Sequence, residues 1–136
     1  MPIINIAVTA PPDAALSARI AASITDLTGT YLKKDPAITA VAVTYLDPNH
    51  WFAGGKSLAS QDAATFWLDI KVVDGTNTKP ELSAYLDHVF AAMTALLGRL
   101  HHESYILVHE VPASAYGFGG KTQEFRFIAK QLTNAA

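Results

Sequence analysis

The feature that most constrains the fold of this chain is an internal repeat of about 65 residues. Two turns that each contain a pair of glycines, WFAGGKS at 51–57 and YGFGGKT at 116–122, lie 65 positions apart. Two apolar stripes with helical spacing lie 66 positions apart: Leu16, Ile20, Ile24, Leu27 and Tyr31, then Leu82, Leu86, Phe90, Met93 and Leu97. A turn and a stripe that recur in the same order are hard to obtain by chance, so the sequence predicts two copies of one folding unit.

Each copy is predicted to be strand–helix–strand. The β-rich segments are 3–8 and 38–46 around the first stripe, and 65–73 and 104–111 around the second. Pro11 and Pro12 favour the start of the first helix, where a missing N–H costs nothing. Thr78 and Glu81 form a capping-box pattern around Pro80 at the start of the second helix.

The long helical connection in each copy implies that its two strands pair in parallel. The predicted fold is therefore α+β, with tandem β-α-β units that form a four-stranded mixed sheet with two helices on one face. We expect one domain over 1–136, with pseudo-repeats at about 2–57 and 64–122 and a C-terminal tail at 123–136.

The second face of the sheet also needs cover. The strand segments IINIAV and AVAV barely alternate between apolar and polar residues, which predicts apolar side chains on both faces. Another subunit is the simplest cover, so we expect an oligomer. The tail contains the alternating segment EFRFI, which we expect to pair with the edge of a neighbour's sheet.

Composition excludes several classes of function. The net charge of −2 gives no general attraction to nucleic acid or to anionic membranes. The absence of cysteine excludes disulfides, thiol catalysis and thiolate metal sites. No signal peptide and no membrane-spanning apolar run is visible, so a soluble, cytoplasmic protein is the expectation. His101, His102 and Glu103 are adjacent in sequence, where side chains diverge, and we expect no metal site.

A Met-Pro start, duplicated β-α-β units and an aromatic–glycine–glycine turn after each unit resemble the tautomerase superfamily, which includes 4-oxalocrotonate tautomerase and macrophage migration inhibitory factor. The resemblance covers about residues 2–122 and is to the long, two-repeat form. It implies a homotrimer whose sheets face inward, and catalysis without a cofactor. It also implies that Pro2, once Met1 is removed, is the catalytic base. A secondary amine whose pKa an apolar pocket lowers is a reasonable base near pH 7.

The pattern of macrophage migration inhibitory factor implies further site residues. The site lysine falls on Lys34, with Lys33 beside it as an open alternative, and the site tyrosine falls on Tyr105, supplied by an adjacent subunit. The positions implied to bind substrate are Trp51, Tyr116, Phe118 and Lys71.

The sequence also departs from the family. A clamp of two arginines is absent, because the family positions read Pro12 and Thr76, and the chain has only Arg19, Arg99 and Arg126. A dicarboxylate substrate is therefore disfavoured, because bidentate arginine recognition is missing. The dehalogenase activity is disfavoured because its arginine pair falls around Val73 and Thr76 and its tyrosine position reads Leu107. The decarboxylase activity is disfavoured because its aspartate position falls near Thr39. One lysine suits a monoacid such as a 2-keto acid.

The function predicted from these residues is a cofactor-free tautomerase or isomerase of a small keto or enol acid, with an N-terminal proline as general base. Two alternatives stay open. One is a non-catalytic trimeric binding or scaffold protein on the same fold, which a retained Met1 would fit. The other is a proline-dependent hydratase, for which Glu110 and His109 are the candidates to activate water. The expected partners are the small acid and other copies of the chain, with neither nucleic acid nor membrane.

Overall fold

The computed structural model describes residues 1–135. The first half contains β1 (Ile3–Val8), α1 (Ala14–Leu32), β2 (Ala40–Tyr45), β3 (Phe52–Ala53) and β4 (Lys56–Ser57). The second half contains β5 (Phe66–Val73), α2 (Lys79–Leu97), β6 (Tyr105–Val111), β7 (Gly117–Phe118), β8 (Lys121–Thr122) and α3 (Gln123–Ala135). The four long strands agree with the predicted segments to within two residues at each end.

The four long strands form one sheet in the order β2-β1-β5-β6. Strands β1 and β2 are parallel, β5 and β6 are parallel, and β1 and β5 meet antiparallel at the centre. The predicted fold of tandem β-α-β units in a mixed four-stranded sheet is confirmed. The antiparallel central pair means that the two units run in opposite directions across the sheet.

One face of the sheet and both long helices enclose the core. Alternate residues of the two central strands are fully buried against the helices: Ile4, Ile6, Val8, Phe66, Leu68, Ile70 and Val72. The helices contribute Ile20, Ile24, Leu32, Tyr85, Val89 and Met93. Period-2 burial on the strands and a helical stripe on each crossover are what a two-layer α/β packing requires.

The first helix begins one turn later than predicted. Asp13 is its N-cap, and its carboxylate accepts a hydrogen bond from the backbone N–H of Ala15 at 2.9 Å. Pro11 and Pro12 therefore lie before the helix and not in its first turn, because a side-chain cap binds the free N–H groups there. The predicted capping box of the second helix is present, with Thr78 and Glu81 bonded reciprocally.

The predicted stripe of the second helix is wrong at Leu86, which is 38% exposed. Tyr85 and Val89 occupy the buried positions instead. The Tyr85 hydroxyl hydrogen-bonds the Thr28 hydroxyl of the other helix at 2.9 Å, and burial raises the pKa of Tyr85 to about 12. A large aromatic ring with a polar partner at its tip fills this site in place of leucine.

The two glycine turns are matching hairpins. Gly54 and Gly55 have φ of +63° and +76°, and Gly119 and Gly120 have φ of +61° and +77°. Positive φ at both central residues defines the type I′ turn, which suits a two-residue hairpin and favours glycine. The repeat in the sequence therefore encodes the same local geometry twice.

The prediction for the tail is wrong, because EFRFI lies within α3 and not in an extended segment. The Thr122 hydroxyl accepts a hydrogen bond from the Phe125 N–H at 2.9 Å, which caps the first turn. The residues that follow include several good helix formers, and Phe125, Ile128 and Leu132 are spaced by three and four. Helical spacing over the whole tail outweighs five residues of alternation.

The second face of the sheet is less apolar than predicted. Its centre carries the polar side chains of Asn5, Asp69, Lys71 and His109, since their neighbours along each strand are the residues packed against the helices. The His109 Nε2 lies 2.6 Å from the Asp69 Oδ1. The predicted apolar face is thus wrong at these four positions, although Ile3, Trp67 and Leu107 on the same face are apolar and exposed.

The corrected register of the second helix predicts unequal effects of truncation. Met93→Ala should lower the free energy of unfolding by about 2–5 kcal/mol because it empties a fully buried site. Leu86→Ala should cost less than about 1 kcal/mol, because much of that side chain is exposed. Urea unfolding at one fixed protein concentration measures both, and equal losses would contradict this register.

Candidate functional site

Pro2 lies in a pocket at one end of the sheet. The pocket has a volume of about 440 Å³, and its walls include Ile38, Tyr116 and Phe118. Pro2 is buried, and its carbonyl accepts a hydrogen bond from the Ala40 N–H at 3.0 Å. The parallel pairing of β1 and β2 therefore continues to the residue before β1 and fixes the position of Pro2.

The second hairpin supplies the two aromatic walls. The Tyr116 hydroxyl donates to the Lys71 carbonyl oxygen at 3.0 Å, which fastens the start of the hairpin to the sheet. At Gly117 a Cβ would lie 1.9 Å from the Lys121 carbonyl oxygen, so only glycine permits the two hairpin strands to approach this closely. Two of the predicted binding residues, Tyr116 and Phe118, thus share the pocket with Pro2.

Arg126 supports this wall and was missed by the sequence analysis. Its guanidinium lies 3.8 Å from the centroid of the Phe118 ring, and its Nη2 donates to the Phe118 carbonyl at 2.9 Å. Cation–π stacking together with a hydrogen bond fixes both the ring and the backbone of Phe118. Phe118 and Arg126 are eight residues apart, and no sequence pattern links a residue of a hairpin to one in the helix that follows. An extended tail, as predicted, gives no reason to expect this contact.

The two adjacent lysines point to different partners. Lys33 has φ of +60°, and its ammonium donates to the Thr30 carbonyl at 2.7 Å, at the end of its own helix. The Lys34 ammonium instead donates to the Thr76 hydroxyl at 2.8 Å. Thr76 in turn donates to the Val73 carbonyl at 2.6 Å, so its oxygen is oriented to accept from Lys34.

Burial near the N terminus lowers the pKa of two amino groups, and nearby charges modify both shifts. Burial lowers the pKa of the Lys34 ammonium, and the nearby Glu81 carboxylate partly opposes this. Burial also lowers the pKa of the Met1 α-amine, while Asp35 raises it and Lys34 lowers it. The end of the chain thus lies where a neutral amine is favoured and where Lys34 is close enough to affect it.

Tyr105 and Trp51 lie at the opposite end of the sheet. Tyr105 pairs in register with Trp67, which pairs with Ala7, whereas Pro2 adjoins Ile3. Four residues of strand separate those rows by about 13 Å. Within one chain, therefore, Tyr105 and Trp51 do not share the Pro2 pocket.

These two residues line a pocket of their own. It has a volume of about 490 Å³ and is lined by Leu46, His50, Trp51, Phe52, Trp67, Tyr105 and Leu107. The Tyr105 hydroxyl donates to the Glu103 carboxylate at 2.5 Å, and that hydrogen bond raises the pKa of Tyr105. Aromatic side chains line this end of the sheet, and Tyr105 among them is exposed within one chain.

Lys71 lies on the same open face as Asp69, in register with Ile3 on one side and with His109 on the other. It therefore belongs to the row of the sheet nearest Pro2. Within residues 1–135, no group of three or more histidine, cysteine or acidic side chains has a geometry suited to a metal ion. In the same range, no helix is both long and apolar enough to cross a membrane.

Solved structures with the same architecture are found at low sequence identity. A fused 4-OT has a TM-score of 0.79 at 19% identity, over 90% of this chain and 97% of that one. Pt0534, described as inactivated by 2-oxo-3-pentynoate, has a TM-score of 0.78 at 14% identity, over 91% and 98%. A macrophage migration inhibitory factor-like protein from Entamoeba histolytica has a TM-score of 0.74 at 18% identity, over 89% and 97%. No protein-family model and no curated protein matches the chain.

This chain has the tautomerase fold. The near-complete coverage of both chains in each pair includes both β-α-β units, so the likeness is to the long form and not to a single repeat. Within this tautomerase fold, the geometry brings Pro2, Lys34, Tyr116 and Phe118 to one end of the sheet, and Trp51 and Tyr105 to the other.

The Lys34–Thr76 hydrogen bond predicts a measurable pKa difference. Thr76→Val removes the oxygen that accepts from the ammonium, so the Lys34 pKa should fall further, whereas Thr76→Ser should preserve it. NMR titration of the lysine side chains measures both, with Lys33 as an internal reference. Because folding lowers the Lys34 pKa, the folded chain binds fewer protons there, and this contribution to stability should rise with pH up to the ordinary value of 10.5. An unchanged Lys34 pKa in Thr76→Val would contradict the role of Thr76.

Proposed function

We propose that this protein is a cofactor-free tautomerase or isomerase that acts on a small 2-keto or enol monoacid. The observation that carries the proposal is the burial of Pro2 in a pocket with aromatic walls, at the end of the sheet where Thr76 orients the Lys34 ammonium. A base of modest pKa, one cation and an apolar surround are the groups that proton transfer next to a carbonyl requires.

The base is the Pro2 amine after removal of Met1. Methionine is usually trimmed when the next residue is small, and proline then presents a secondary amine. The burial that lowers the pKa of the Met1 amine acts at Pro2 also, since Pro2 is the more deeply buried of the two. A neutral Pro2 nitrogen takes a proton from the carbon next to the carbonyl, and the resulting ammonium delivers it to the enolate oxygen or back to carbon.

Lys34 holds the substrate carboxylate and stabilises the negative charge that develops on the enolate. Its hydrogen bond to Thr76 uses one of its three N–H groups and leaves two for the substrate. The lining of the Pro2 pocket includes no arginine. Without an arginine there is no bidentate fork for a second carboxylate, which favours a monoacid over a diacid.

Tyr105 is proposed to act from a neighbouring subunit of a homotrimer. Two fused 4-OT structures with this fold are described as trimers. Since about 13 Å of strand separates the row of Tyr105 from the row beside Pro2, one chain cannot bring them together. A ring in which the Pro2 end of each chain meets the Tyr105 end of the next places the hydroxyl beside the substrate carbonyl.

A free Pro2 amine predicts selective alkylation. An activated alkyne such as 2-oxo-3-pentynoate should add to this nitrogen, and phenylenolpyruvate ketonisation should then stop. Mass spectrometry of the N-terminal peptide checks the site of addition. A chain with one extra residue ahead of Pro2, whose nitrogen is then an amide, should lose activity by about 10²- to 10⁴-fold and resist alkylation. An intact Met1 in protein matured by its own host would instead support a non-catalytic binding role.

The adjacent lysines provide a matched pair of variants. Lys34→Met should reduce kcat/KM by about 10- to 100-fold, because a charge-assisted hydrogen bond to the carboxylate is lost. Lys33→Met removes the same charge one residue away and should leave kcat/KM unchanged, since Lys33 bonds its own helix. Steady-state kinetics on phenylenolpyruvate measure both. Equal effects of the two substitutions would refute a specific role for Lys34.

A site shared between chains predicts complementation. The Tyr105→Phe variant and the chain extended ahead of Pro2 should each be weakly active alone. Mixed by unfolding and refolding together in equal amounts, they should recover about a quarter of wild-type activity, because one site in four then joins an intact Pro2 to an intact Tyr105. Activity no greater than the mean of the two parents would place Tyr105 outside the shared site.

A further inference from the structure

The C-terminal helix presents an exposed apolar stripe. Phe125, Ile128 and Leu132 lie within about 60° of one another around the helix axis. Their side chains are 53%, 51% and 69% exposed. We call these three residues the α3 stripe. Aromatic and branched aliphatic side chains aligned in this way mark a surface that is covered by a partner.

The same helix is fastened to its own chain by a different side. Arg126 stacks on Phe118, and Thr122 caps the first turn, so the position and direction of α3 follow from the hairpin that walls the Pro2 pocket. Around the axis, Arg126 lies about 100° from Phe125. Ile128 and Leu132 lie about 160° and 120° from Arg126, so this part of the stripe faces away from the side that holds the helix in place.

A complementary surface lies at the opposite end of the sheet. We call it the aromatic end, and it comprises the residues Leu46, Trp51, Phe52, Trp67, Tyr105 and Leu107. Phe52 is 60% exposed, Trp67 is 48% exposed and Leu46 is 46% exposed. The pocket at this end has no carboxylate, ammonium or guanidinium in its lining, so it offers an uncharged surface to the apolar side chains of the stripe. On the stripe side, the Lys121 ammonium lies 4.9 Å from the centroid of the Phe125 ring.

We propose that the α3 stripe docks on the aromatic end of the next chain and closes the outer wall of the shared site. The inference rests on the proposed function, in which the Pro2 end of one chain meets the Tyr105 end of its neighbour. Because α3 begins directly after the hairpin at the Pro2 end, it emerges at that junction. The stripe is then carried onto the neighbour and not onto its own chain.

A second copy of the chain suits this stripe better than a membrane does. Helices that lie on anionic membranes carry several basic residues on their polar face. This helix has only Arg126 and Lys130, and Arg126 is already engaged by Phe118. Each chain also has one stripe and one aromatic end, so a head-to-tail ring covers every copy of both.

The natural absence of cysteine permits a direct test by cross-linking. A chain with Ile128→Cys and Phe52→Cys should form a covalent trimer on mild oxidation, seen on a non-reducing gel. The matched control combines Asn134→Cys with Phe52→Cys, since residue 134 lies on the opposite side of the helix, and it should stay mainly as single chains. Monomer bands alone from the Ile128–Phe52 pair would overturn the docking.

A second pair of variants separates this inference from the proposed function. Ile128→Asp with Leu132→Asp should raise the protein concentration at which the trimer dissociates at least tenfold in light scattering. Phe127→Asp with Asn134→Asp adds the same charge to the same helix on the side away from the stripe and should leave assembly unchanged. All four positions are exposed, so circular dichroism should show intact secondary structure in both variants.

The outcomes distinguish the two claims. A wild-type trimer that is unaffected by the stripe substitutions, with no cross-link, overturns the docking and leaves the shared site standing; the stripe is then free for a different partner. A wild-type chain that is monomeric at all concentrations overturns both claims.

Discussion

The antiparallel pairing of β1 with β5 determines where every candidate residue lies. It joins two parallel β-α-β units head to tail, so the first strand of each unit begins at an opposite end of the sheet. Pro2 stands at the start of β1, and Tyr105 stands at the start of β6, which runs parallel to β5. The start of β1 and the start of β6 therefore lie at opposite ends of the sheet. A site that uses both must be completed by a second chain.

The unit occurs twice in the chain, but only the first copy can offer an N-terminal amine. The first strand begins next to the chain terminus and can offer an amine, whereas the matching strand begins at Phe66, in the middle of the chain. Phe66 is fully buried in the core. In the proposed ring, each chain therefore contributes one base end and one aromatic end, giving three sites and not six. The aromatic pocket around Trp51 and Tyr105 is the counterpart of the Pro2 pocket at the opposite end of the sheet.

The elements that the sequence predicts well are those encoded within one local segment. Glycine pairs specify the two hairpins, and the Thr78–Glu81 spacing specifies a helix start, because each needs only neighbouring residues. Leu86 was misplaced because the choice between it and Tyr85 depends on a hydrogen bond to Thr28 in another helix. In the tail, five alternating residues predict an extended segment, but the helical spacing of the whole segment determines the structure.

The residues of the candidate site likewise include some that the sequence predicts and others that only the fold brings near. Pro2, Tyr116 and Phe118 were predicted through a resemblance in sequence, and they share one pocket. Thr76 and Arg126 were missed because each acts through another side chain that only the fold brings near, 42 residues away for Thr76 and 8 for Arg126. Neither residue has a local pattern to reveal it. Residues that orient a binding group are in general harder to predict than the group itself, since their spacing is free.

Burial near the N terminus lowers the pKa of two cationic groups, the α-amine of the chain and the Lys34 ammonium. The α-amine starts from an ordinary pKa of 8.0 and the lysine from 10.5, and burial lowers both. For comparable shifts the lysine stays the more strongly protonated of the two groups, because it starts from the higher ordinary value. The lysine charge then lowers the amine pKa further, while Glu81 supports the charge on Lys34. In the proposed reaction, this apolar environment favours a neutral amine near a charged lysine, and a base together with a cation is what enolisation of a 2-keto acid requires.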